Sequence, residues 1–462
     1  MEHNQKKTTI WIVVIAAVLF ISCLCLSVCA TGLYFFLKAE PQSMVEKIFN
    51  TTEDEKEHSA TDQIVEPEQN TAKNFLTPAQ LKIIDSAQKI RGLSTQNDFS
   101  PEYKNKDDLR QYLIDKMHQN TTSQDFIDEH DLLAILGFVP QEFDLEKFYL
   151  DFYSEQIAGF YDHESDEMFL VEDGTEKENS LTLAHEFIHY LQFDNFDMDG
   201  KLNYNNESCE SDSEYCLSLE AVMEGDATLM ETILSRQKDL DLQKDEIDES
   251  VTTNFEKAPK YFQEYLMFPY SYGFNFVYSF YIKNGFSAVD NLYINPPVSI
   301  EQVMHPERYP NEKPISILME PFQNVIAEQC EPTFDNTLNE ADLLWLLDSG
   351  YEEKWRLSEI TAQKAADGWG GGHFQFSRCD GKPMFFSKTI WDTKEDADEF
   401  VKALSDYNQL RWNPGDTDST WVGTNHEIID VIQQEDIIYF MIRPDSFENN
   451  SLLDLIRSGS SL

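Results

Sequence analysis

The chain has 462 residues, enough for two or three domains and a large core. Its 84 Asp and Glu against 35 Lys and Arg give a net charge of −49. That excludes nucleic acid and anionic lipid surfaces as docking partners, because both require a basic face, and it favours cationic over acidic ligands.

Residues 1–9 include Lys6 and Lys7 and lead into an almost uninterrupted apolar run over 10–37. At 1.5 Å per residue this run more than spans a bilayer core of about 30 Å. The two lysines keep the N-terminus cytoplasmic and send the rest outside. The expectation is a single-pass anchor in the cell membrane. Val28-Cys29-Ala30 leaves a cleaved signal as the alternative, and the valine of Leu26-Ser27-Val28-Cys29 spoils a lipidation motif. Residues 38–75 are polar, acidic and poor in aromatics, which predicts a disordered stalk. Residues 76–150 read as a helical scaffold, with stripes of Leu81, Ile84, Ala87 and Ile90 and of Leu109, Tyr112, Leu113 and Met117.

The next unit, 151–335, carries the chemistry. Residues 157–161 and 167–171 predict a hairpin whose turn holds His163, read as a surface residue. A helix is expected over 181–192, with apolar Leu181, Ala184, Phe187, Ile188 and Leu191 at helical spacing and Asn179 or Ser180 as cap. Inside it lies His185-Glu186-Phe187-Ile188-His189, an HExxH pattern. Positions i and i+4 stack on one helix face, so both imidazoles point the same way, as two ligands of a tetrahedral zinc ion must. Glu186 then flanks the open position, where a carboxylate can take a proton from water.

A third ligand is needed, and the helix expected over 219–235 places Glu220, Glu224 and Glu231 along one stripe. Gly225 and Ala227 leave little bulk beside Glu224, so another helix can approach closely there. Further on, Pro269-Tyr270-Ser271-Tyr272-Gly273 precedes an apolar helix over 274–282.

These segments resemble the gluzincin metallopeptidases. HEFIH with a downstream glutamate is similar to their zinc motif, and Glu224-Gly225-Asp226-Ala227 with Glu231 is similar to the E-G-x-A-x-x-x-E segment of their aminopeptidase branch. The resemblance implies His185, His189 and Glu224 as ligands of one zinc ion and Glu186 as general base. Residues 269–273 resemble the P-Y-x-x-G segment of that branch, which implies Tyr270, with Tyr272 as the alternative, as donor to the oxyanion. It also implies that the strand 168–171 is a sheet edge able to pair with an extended peptide. Together with EQIAGFYD, GWGG and WDTKEDADEF, these motifs look like a family of membrane-anchored extracytoplasmic zinc peptidases predicted in prokaryotes, over most of the chain after residue 77. Two departures stand out. The stretch from His189 to Glu224 is longer than usual and contains Cys209 and Cys216, and Thr228 stands where thermolysin-like enzymes carry an aspartate that supports a histidine ligand.

Residues 193–215 read as a polar loop without EF-hand spacing. The proline-bounded stretch 296–310 holds His305, a candidate second donor at the oxyanion by the same resemblance, against a structural role. Outside the apolar run, Cys209, Cys216, Cys330 and Cys379 allow three pairings. The short loop favours Cys209–Cys216, leaving Cys330–Cys379. Residues 336–462 predict two helices over 338–366, then strands near 373–378 and 384–390, a helix over 394–404, and strands near 426–433 and 437–443.

The fold class expected is α+β: a mostly helical zincin-like core with a hairpin before the zinc helix, a small C-terminal α+β module and an N-terminal transmembrane helix. The function expected is hydrolysis of a peptide or protein substrate by a membrane-anchored zinc peptidase. The rival is a non-catalytic surface-binding protein that retains the fold. A structural zinc site takes a fourth protein ligand, and the sequence offers none beside these three.

Overall fold

The computed structural model describes residues 76–458, apart from 98, 157, 173, 175, 238, 239, 241 and 243–253. The apolar run 10–37 and the stalk 38–75 lie outside the described residues. Among those described, no helix is long and apolar enough to cross a membrane. The fold is α+β, as expected.

The helical N-terminal part contains α1 (Pro78–Arg91), α2 (Lys106–Asn120), α3 (Ser123–Leu136) and α4 (Leu145–Gln156). Capping boxes at Thr77 and Thr122 start α1 and α3, and left-handed Gly92 and Gly137 end them. One strand interrupts the helices: β1 (Glu102–Lys104), unexpected from sequence because its three residues are too few to show a period.

The hairpin forms as β2 (Gly159–Asp162) and β3 (Glu167–Val171). The sheet order is β1-β3-β2, with β1 parallel and β2 antiparallel to β3. Strand β3 is therefore central, with both edges paired. The expectation that residues 168–171 form an open edge for a peptide is corrected, because β1 fills that edge; the outer strand on the other side is β2.

Helix α5 (Glu176–Asn195) starts earlier than expected, so Asn179 and Ser180 lie inside it. Asn179 acts instead as a tether, its Nδ2 donating to Val171 O at 3.1 Å. Residues 193–215 are only partly a loop: turns and irregular backbone occupy 196–205, while α5 runs on to Asn195 and α6 (Asn206–Ser211) and the start of α7 (Ser213–Leu234) take up most of the remainder. Asn205 and Asp212 cap these helices, which is why a stretch rich in Asp and Asn looked like a loop. The Cys209–Cys216 disulfide ties α6 to α7.

Helix α7 is buried around nearly its whole circumference, between α5 and α8 (Lys260–Ile294). In α8 the Pro269 stretch, expected to precede a helix, is itself helical. Pro269 is buried in it, and non-helical Asn284 and Gly285 divide the helix further on. Proline removes one backbone hydrogen bond but does not end a helix whose packing is this extensive.

After α9 (Ile300–Met304) and α10 (Glu320–Ile326) comes a seven-stranded antiparallel sheet in the order β4-β5-β6-β10-β9-β8-β7. The four expected strands appear as β5 (Trp369–Cys379), β6 (Lys382–Trp391), β9 (Glu427–Gln434) and β10 (Ile437–Pro444), with α13 (Lys394–Arg411) between them. The sheet adds β4 (Glu331–Thr337), which begins before residue 336, and short β7 (Asn413–Pro414) and β8 (Thr420–Val422). The two expected helices are α11 (Glu340–Asp348) and α12 (Glu359–Ala366).

Side chains alternate across this sheet. Phe374, Phe376, Phe385 and Phe440 join the core shared with the helices, while Met384, Phe386, Tyr439 and Met441 pack with α10 and α14 (Asn450–Ser458). The Cys330–Cys379 disulfide lies on this second face.

Candidate metal centre

Helices α5 and α7 build the site and α8 closes it. Both imidazoles stack on the buried face of α5, as their spacing requires. His185 Nε2 and His189 Nε2 are 3.1 Å apart. Glu224, at mid-length of α7, brings Oε2 to 3.2 Å from His185 Nε2 and Oε1 to 3.4 Å from His189 Nε2. Among the described residues, these three side chains form a group that could hold a metal ion. Four donors placed tetrahedrally about 2.0–2.1 Å from an ion lie about 3.3–3.4 Å from one another. The His185–His189 and His185–Glu224 Oε2 separations of 3.1 and 3.2 Å are slightly shorter than that edge, and the 3.4 Å contact to His189 is made by the other Glu224 oxygen.

The charge around the group also suits a cation. Glu186, Glu224 and Glu231 are all buried beside the two imidazoles. Burial opposes protonation of His185, but Glu224 and Glu231 outweigh it and hold the imidazole well above its usual range. Burial alone pushes Glu224 up, and His189 and His185 reverse that, leaving it below the ordinary glutamate value. The imidazoles thus offset part of the buried negative charge, and a divalent cation would offset the same charge.

Neighbouring side chains approach the outer nitrogens of both imidazoles. Glu231 Oε2 lies 3.3 Å from His185 Nδ1. The Thr228 hydroxyl, one turn after Glu224, is buried with no hydrogen-bond partner among the described residues. His189 Nδ1 faces Gln192 Oε1 at 2.9 Å. Glu186 accepts the Tyr161 backbone N–H at 3.2 Å, so β2 holds the carboxylate next to the group.

Tyr270 and Tyr272 separate cleanly. Residues two apart on a helix point in nearly opposite directions. The Tyr270 ring is buried with its centroid 6.5 Å from that of His185. Tyr272 instead stacks on Phe268, and its hydroxyl is pushed up to about 12, by burial first and then by Glu264. His305 is placed in a different group: its Nε2 lies 2.8 Å from Glu340 Oε1 on α11, and Asp367 is the third member. Buried Glu340 takes up this imidazole, so the structure does not bring His305 to the His185 group. His163 stacks on Phe193.

Sequence reading missed several participants. Gln192 was legible in principle, three residues after His189 on the same face of α5. The Tyr161 N–H was not, because a backbone contact leaves no side-chain pattern in the sequence.

A family model described as "Domain of unknown function (DUF8575)" matches residues 329–441. The match covers the C-terminal sheet from β4 into β10 and lies wholly outside the His185 group. No curated protein and no solved structure matches the chain.

Proposed function

We propose that this chain is a zinc-dependent peptidase with a zincin-like core, anchored in the cell membrane with its catalytic body outside the cytoplasm. The observation that carries this reading is the convergence of His185 Nε2, His189 Nε2 and the Glu224 carboxylate at 3.1–3.4 Å. These three would hold the ion. Zinc, when bound, polarises the scissile carbonyl and brings the pKa of water towards neutrality.

The protein's own groups do the rest. Glu186, buried and held by Tyr161 N–H, takes the proton of the attacking water and delivers it to the leaving amine. The Tyr270 hydroxyl donates to the oxyanion as the carbonyl becomes tetrahedral. Glu231 and Gln192 keep the imidazoles aimed at the ion. His305 is given no part in this mechanism. That three protein ligands, and not four, meet among the described residues favours an open catalytic position over a structural one. Peptide hydrolysis by wild type and Glu186→Gln tests the reading: the variant should keep its metal and lose nearly all turnover.

A further inference from the structure

A chain of buried hydrogen bonds runs from His189 to the end of the first described helix. His189 Nδ1 faces Gln192 Oε1 at 2.9 Å. Gln192 Nε2 donates to Met223 O at 3.0 Å and to Asp226 Oδ2 at 3.2 Å. Both of those partners are acceptors only, so the amide nitrogen must face them and the amide oxygen must face His189. An oxygen opposite Nδ1 requires the imidazole proton on Nδ1, which frees the Nε2 lone pair to point at Glu224 and His185.

Asp226 is fixed in turn. Arg91 Nε donates to its two oxygens at 2.9 and 3.1 Å, and Tyr293 OH donates to Oδ2 at 3.0 Å. Arg91 is fully buried in the last turn of α1, and its Nη1 reaches Asp290 at 2.6 Å. Every polar group along this path has a fixed role: the ring N–H donates to Gln192, Gln192 donates to Asp226, and the permanently charged guanidinium donates to the same carboxylate from the other side.

We propose that Arg91, Asp226 and Gln192 are positioning residues that fix the His189 tautomer from outside the site, so that α1 is wired to the metal centre rather than serving only as scaffold. The proposal rests on the metal-centre reading above. The relay makes His189 the dependent ligand. His185, which faces Glu231, has its own support and does not share this path.

The test is nitrogen-15 NMR of the imidazoles in the metal-free protein, at a pH where they are neutral, together with zinc affinity by chelator competition. In wild type, the His189 proton should sit on Nδ1. Gln192→Met, similar in volume but without the acceptor, should mix the tautomers at His189, leave the His185 signals unchanged and weaken zinc binding about 10- to 100-fold. Asp226→Asn should shift both readouts in the same direction.

A wild-type His189 protonated on Nε2 overturns the relay, even if neither variant folds. So does a Gln192→Met protein with an unchanged tautomer and zinc affinity within about twofold of wild type. A correct tautomer in a wild-type protein that binds no zinc upholds the relay and removes the metal reading.

Discussion

Gly225 on α7 and Gly273 on α8 meet backbone to backbone. A Cβ on Gly225 would lie 2.2 Å from Gly273 O, and one on Gly273 would lie 2.1 Å from Ala221 O. This contact sets the approach of the helix carrying Glu224 to the helix carrying Tyr270. Gly225 stands one residue from Glu224 on its helix, and Gly273 three residues from Tyr270 on its own.

Gly225→Ala therefore forces the helices apart. Alanine gains up to about 1 kcal/mol of helix propensity, but overpacking against backbone costs on the order of 1–3 kcal/mol or more. Urea unfolding should show a net loss of stability for Gly225→Ala and Gly273→Ala. A stability equal to or above wild type in both would mean that the helices do not rely on this contact.

Tyr270→Phe should lower turnover about 100-fold, in the range for loss of one oxyanion donor, without changing metal content. Tyr272→Phe should stay near wild type, because that ring stacks on Phe268. Equal effects from the two substitutions would remove Tyr270 from the oxyanion.

The close approach beside Glu224 was legible in advance: Gly225 and Ala227 next to a glutamate on an apolar helix predicted a near neighbour, and α8 is that neighbour. The HExxH spacing likewise placed both imidazoles on one face. Long periodic elements and i,i+4 geometry are local, so the sequence states them directly. Non-local geometry was not legible. The three residues of β1 carry no period, yet they turn β3 from an expected edge into a central strand. The capped helices between residues 193 and 234 begin with the residues that usually mark loops. The fate of His305 depends on Glu340, which is brought to it by the tertiary fold.

Glu129 offers a pH-dependent handle far in sequence from His185, His189 and Glu224. Its carboxyl is pushed up to about 8, by burial first, against the lowering effect of the Tyr149 hydroxyl. It helps line a cavity of about 50 Å³ with Leu133, Phe334, Phe385 and Asp342. A carboxyl raised in the folded state stabilises the fold below its unfolded pKa, and that share is lost as pH rises from about 4.5 through about 8. Denaturant midpoints should therefore fall between pH 5 and pH 8 by more in wild type than in Glu129→Gln. Parallel profiles would show that Glu129 titrates normally.

The most direct measurement is zinc per chain in purified, folded wild type and Glu224→Ala. One zinc per wild-type chain, lost in Glu224→Ala, is the predicted result. A folded wild type without zinc, or a variant that keeps its full complement, would contradict a metal centre built from His185, His189 and Glu224.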